Sequence, residues 1–226
     1  MRMARLAFVT CGAATFALAV AGPLSAQDAR VEIGASAGWT LSDGVSFDGV
    51  IAGDGNIYTE IGPKDSASFS ANIGFYVTPQ VEVGFLWGRQ KSTLEVLGTT
   101  TREVGDQNID NYHGYLAYNF GEPDAKARFY VLGGAGATRY GSVPFQVGGF
   151  ASETAGETQF STTWGAGVKL YPGNNFGIKL GARWTPTYIK SDGEGWWCDP
   201  YWGCYVVSDA QYSNQYEFSG GIVLRF

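Results

Sequence analysis

From residue 31 onward apolar residues return at every second position, not at helical spacing, and this period of two marks eight segments. The first alternates Val31, Ile33, Ala35, Ala37 and Trp39 with Glu32, Gly34, Ser36 and Gly38. The second sets Ala67, Phe69, Ala71, Ile73, Phe75 and Val77 against Ser68, Ser70, Asn72, Gly74 and Tyr76. Five more lie at 81–87, 112–120, 160–170, 176–188 and 216–226. The remaining segment, 129–140, is apolar on both parities, so alternation alone does not orient it. Strict alternation reads as strands with one apolar and one polar face.

The connections alternate in length. Short links at 78–80, 121–126 and 172–175 separate long polar stretches at 42–66, 97–106, 141–157 and 191–211. Short turns at one end and long loops at the other are the pattern of outer-membrane barrels. An even strand number puts both chain ends on the short-turn, periplasmic side, and the long stretches are expected to be extracellular loops.

A soluble eight-stranded barrel is the competing fold, with its apolar face inward and charge outside. The charges decide between the two. In the oriented segments the apolar parity carries no Asp, Glu, Lys or Arg, while the other parity carries Glu32, Glu82, Lys169, Lys179, Arg183, Glu217 and Arg225. A Lys or Arg on the lipid face costs about 2–4 kcal/mol at the bilayer midplane, so an uncharged face points to lipid. Aromatics gather at the segment ends: Phe75, Phe120, Phe176 and Phe226 on the turn side, Trp39, Trp87, Tyr188 and Tyr216 on the loop side. These are the positions of interfacial girdles. The fold expected is all-β: an eight-stranded antiparallel transmembrane up-and-down β-barrel.

The N-terminus changes the picture only by adding export. Arg2 and Arg5 precede an apolar run, and small residues end at Ala26, so residues 1–26 read as a cleaved signal peptide and 27–226 as the barrel domain. Net charge is −6; without the leader, 13 basic residues stand against 21 acidic ones, about −8. That balance argues against nucleic acid as a partner, because phosphate neutralisation needs basic patches.

Interior charges are expected to pair, since buried charge needs a partner or water. Glu217 is assigned to Arg183, and Glu32 and Glu82 are shared among Lys169, Lys179 and Arg225. The single histidine, His113, falls on the interior parity, and the same-face neighbours Asn111 and Tyr115 supply no serine for hydrolysis. No catalytic residue, metal ligand or cofactor is expected. One histidine is too few for a zinc site, and the acid-rich first loop fails the calcium-loop pattern. Cys198 and Cys204 lie six positions apart in an exported chain and read as a disulfide. Trp196, Trp197, Tyr201, Trp202 and Tyr205 surround them, a composition enriched at binding surfaces.

The last eleven residues, Tyr216-Glu217-Phe218-Ser219-Gly220-Gly221-Ile222-Val223-Leu224-Arg225-Phe226, resemble the C-terminal signal of outer-membrane barrels. The mature chain resembles the small OmpA-like or porin-family barrels. The resemblance implies residence in the outer membrane, contact with its lipids and lipopolysaccharide, and recognition of the strand ending in Phe226 by the barrel-assembly machinery. It implies a structural envelope or surface-interaction role through the loops, with an extracellular ligand or surface as partner. A narrow porin-like channel is the alternative, and a lipid-active enzyme a more distant one.

Overall fold

A computed structural model describes residues 31–51, 55–147, 150–153, 155–173, 175–189, 197–199, 203–205 and 211–226. Every regular element among them is a strand. They are β1 (Val31–Ser42), β2 (Val45–Ile51), β3 (Ile57–Pro63), β4 (Ser66–Tyr76), β5 (Val81–Gly98), β6 (Arg102–Asn119) and β7 (Ala127–Tyr140). There follow β8 (Pro144–Val147), β9 (Phe150–Glu153), β10 (Glu157–Leu170), β11 (Phe176–Ile189), β12 (Trp197–Asp199), β13 (Gly203–Tyr205) and β14 (Gln211–Arg225).

Eight of these close a barrel in the order β1-β4-β5-β6-β7-β10-β11-β14, every neighbour antiparallel, with β14 returning to β1. The seam is bonded to its end: Val31 N donates to Phe226 O at 3.1 Å and Phe226 N to Val31 O at 2.9 Å. Closure leaves no edge facing lipid, where an unpaired backbone group would cost several kcal/mol (about 4–8 by transfer to hydrocarbon).

The alternation predicted in β1, β4, β10, β11 and β14 is the alternation observed. Ile33, Phe69, Phe75, Phe160, Leu180, Phe218 and Leu224 point outward and Glu32, Ser68, Thr163, Thr185 and Gln215 inward. The segment at 129–140 resolves in β7: Phe129 and Val131 face out, Arg128, Tyr130 and Leu132 face in.

One expectation is corrected. The stretch 97–106 is not a long loop: β5 runs to Gly98 and β6 resumes at Arg102. Beyond Trp87 the outward face carries Arg89 and Lys91 while the inward face buries the polar Gln90 and Ser92, so the apolar alternation disappears from the sequence while the backbone ladder continues. The β2–β3 hairpin sustains it, β3 pairing with β5 at Leu94–Gly98 after the pairing of β5 with β4 has ended at Gln90. The stretches 141–157 and 191–211 also contain hairpins, β8–β9 and β12–β13.

Candidate functional site

The lumen is filled in three tiers. In the lowest one, Lys169 of β10 reaches across to β1 and β5, its Nζ donating to Glu32 Oε1 at 2.5 Å and to Glu82 Oε2 at 2.7 Å. Glu32 also accepts from Tyr76 Oη at 3.0 Å and Tyr171 Oη at 2.8 Å, and Arg225 Nη2 lies 3.5 Å away. Glu82 accepts from Tyr115 Oη at 2.5 Å. Each carboxylate is thus held by a cation and by phenols, as full burial demands. Glycines make room: a Cβ on Gly34 would stand 2.5 Å from Asn72 Oδ1, and one on Gly74 would collide with the Glu82 carboxylate.

Above this tier Arg183 Nη2 meets Glu217 Oε2 at 2.5 Å, the two residues being direct cross-strand partners on β11 and β14. Lys179 departs from the expected pairing. It takes no carboxylate within 4 Å among the described residues; its Nζ donates to Asn72 Oδ1 at 3.4 Å and lies 5.0 Å from the centre of the Tyr130 ring. Lys169, reaching further across, occupies both lower glutamates.

The upper tier is neutral and polar. Asn111 Nδ2 donates to Gln215 Oε1 at 2.9 Å, and Gln215 Nε2 to Gln90 Oε1 at 3.0 Å. Thr138 Oγ1 donates to Asn111 Oδ1 at 2.7 Å and lies 2.9 Å from Ser161 Oγ. His113 Nε2 lies 2.9 Å from that same Ser161 Oγ. A serine therefore does face the histidine, but from β10 and not from His113's own strand. Both residues are sealed inside the wall, and His113 Nδ1 has no hydrogen-bond partner among the described residues.

Sequence reasoning missed Arg128 and Tyr171 as members of this interior, and it placed Tyr76 and Tyr115 on the interior parity without giving them a role. Arg128 is 1% exposed and donates to the Pro79 carbonyl at 2.7 Å, tying the β4–β5 turn to β7. Arg128 stands at the turn end, beside Lys169 across the strand pair, and shares that residue's inward parity; Arg139, at the loop end of the same strand, faces out. Parity put Tyr76 and Tyr115 inside but could not show that they would donate to Glu32 and Glu82 on other strands.

The β12–β13 hairpin puts Cys198 opposite Cys204 and Trp197 opposite Tyr205 in backbone register. Trp196, Tyr201 and Trp202, like residues 1–26 expected to form the leader, lie outside the described residues.

The chain matches the family model described as the outer membrane protein beta-barrel domain over residues 6–226, and it belongs to that family. Among solved structures it is similar to OprG from Pseudomonas aeruginosa, at 11% identity and a TM-score of 0.64, covering 88% of this chain and 96% of that one. It is similar also to Neisserial surface protein A, at 13% identity and a TM-score of 0.53, covering 87% and 97%. These likenesses are of fold. No curated protein matches the chain in sequence. The protein is an outer-membrane β-barrel.

Proposed function

We propose that this barrel is a closed membrane scaffold that presents its extracellular hairpins for surface interaction. The observation that carries the reading is the lumen. Lys169 bridges Glu32 and Glu82 across it, Arg183 and Glu217 pair above, and the amide and hydroxyl tier follows. The void lined by Thr40, Asn111, Arg183, Gln215 and Glu217 measures about 10 Å3, room for about one water. At the turn end a cleft of about 520 Å3 opens between residues 123–126 and 171–175 and is backed by Arg225.

The β12–β13 hairpin is the element we assign to recognition, stiffened by a Cys198–Cys204 disulfide; its register supports the pairing. Trp196, Trp197, Tyr201, Trp202 and Tyr205 would form the contact surface, at reduced ordering cost. Lipopolysaccharide is the surrounding lipid partner, and β14 with Phe226 the segment read by the assembly machinery. Residues 1–26 direct export and are removed by cleavage after Ala26, and the role is not catalytic.

Single-channel recording in planar bilayers tests the closed lumen. Near-zero current is expected for the wild type and for Glu217→Gln. Sustained conductance abolished or altered in Glu217→Gln would replace this reading with the channel. Replacing Trp196, Trp197 and Trp202 with Ser is expected to abolish whole-cell adhesion; unchanged adhesion would remove the hairpin as the contact surface.

A further inference from the structure

Outward charge begins abruptly on one flank of the barrel. From the turn-side aromatics to Trp87 on β5, Tyr112 on β6 and Ala137 on β7, no outward residue of these strands is charged. The next outward position on each is Arg89, Asp110 and Arg139, and these three stand in one cross-strand row, Arg89 opposite Asp110 and Asp110 opposite Arg139. Lys91 follows Arg89 on the same face. At the corresponding step β1, β10 and β14 carry Leu41, Thr158 and Asn214.

Only one of the three cations is neutralised. Arg89 grips Asp110 through two bonds, Nε to Oδ1 at 2.7 Å and Nη2 to Oδ2 at 2.9 Å, and lies 5.7 Å from the Trp87 ring centre. The Asp110 side chain is 8% exposed beneath it. Arg139 and Lys91 are exposed and make no hydrogen bond or ion pair among the described residues. A chain of net charge −6 thus concentrates free positive charge on one flank, in the two successive rows directly above its aromatic girdle.

That height has a chemical meaning. Interfacial aromatics mark the edge of the hydrocarbon. Two residues further along a strand is about 7 Å, which is the level of lipid phosphates. Guanidinium groups match phosphate geometry with paired donors, and Arg89 keeps donors that Asp110 does not use. We propose that the β5–β7 flank binds the phosphate groups of outer-leaflet lipid headgroups. Arg139 and Lys91 supply the charge, and Asp110 holds Arg89 flat against the wall as the third contact.

Native mass spectrometry of the full-length protein in neutral detergent tests this, with diphosphoryl lipid A and its dephosphorylated form as probes. The wild type is expected to retain the diphosphoryl form preferentially. Lys91→Gln and Arg139→Gln are each expected to weaken it, and together by roughly 30-fold, the effect of two cations near an anionic surface. Lys126→Gln, on the periplasmic turn, is expected to change nothing. Equal retention of the two lipids, undiminished binding by the double variant, or an equal loss in Lys126→Gln would overturn the proposal. So would displacement by inorganic phosphate at matching concentration, which would make the ligand a free anion.

Discussion

Lys169 and Glu32 meet at 2.5 Å across the lumen although they are 137 residues apart in the chain and stand on strands separated by β11 and β14. Lys169 also stands directly beside Arg128 on β7 and Lys179 on β11, so three cations are cross-strand neighbours on the lumen face. Like charges so placed repel. Glu32 and Glu82 on the facing wall offset that repulsion through Lys169, the middle member of the row.

Removing Lys169 alone therefore leaves buried Glu82 without a cation and Glu32 with only Arg225 at 3.5 Å. Lys169→Met is expected to destabilise the barrel by about 3–5 kcal/mol, whereas combining it with Glu32→Gln and Glu82→Gln recovers most of that loss. Equilibrium unfolding in phosphocholine bilayers measures both. A triple variant no more stable than Lys169→Met would show that the charges do not act as one unit.

Arg183 and Glu217 form a separate pair one tier up. A double-mutant cycle with Arg183→Met and Glu217→Gln is expected to return a coupling energy of about 0.5–3 kcal/mol, the range for residues in one ion-pair network. Additive losses in the same unfolding assay would mean that the contact contributes nothing beyond its parts.

Gly74 exists for the carboxylate it faces. Gly74→Ala drives a methyl into Glu82 and is expected to cost about 1–3 kcal/mol, as overpacking does. Gly173, in the turn after β10 with open space around it, is the control, and alanine there is expected to be near neutral. Comparing the two melting midpoints checks the contrast.

The outward face is expected to tolerate charge by depth. Phe85 is an exposed, lipid-facing residue four positions below Arg89, and Phe85→Arg is expected to cost about 2–4 kcal/mol of folding free energy in a bilayer. Thr93→Arg, past the girdle, is expected to cost much less. Similar losses at both positions would contradict the membrane boundary drawn at Trp87.

The disulfide assigned to the β12–β13 hairpin has a direct readout. In protein recovered from the periplasm-facing export route, Cys198 and Cys204 are expected to resist maleimide labelling until a reductant is added. Immediate labelling of both would leave the hairpin without its cross-link.

The sequence by itself determined the class of fold, its membrane face and most of its buried charges. Period-two alternation is a local property that sorts residues between lipid and lumen before any strand is paired, and the charge-free parity repeated that sorting independently. Where lipid imposed no rule, the sequence was silent: β5 continues from Arg89 to Gly98 although apolar alternation ends at Trp87, because its inward face there buries the polar Gln90 and Ser92 and its outward face carries Arg89 and Lys91. Only the tertiary structure decided who meets whom inside. Barrel closure and strand stagger put Ser161 against His113 and gave both lower glutamates to Lys169, leaving Lys179 to Asn72. Those contacts join strands far apart in the chain, and register across a closed cylinder is a property of all eight strands together, which no single segment carries.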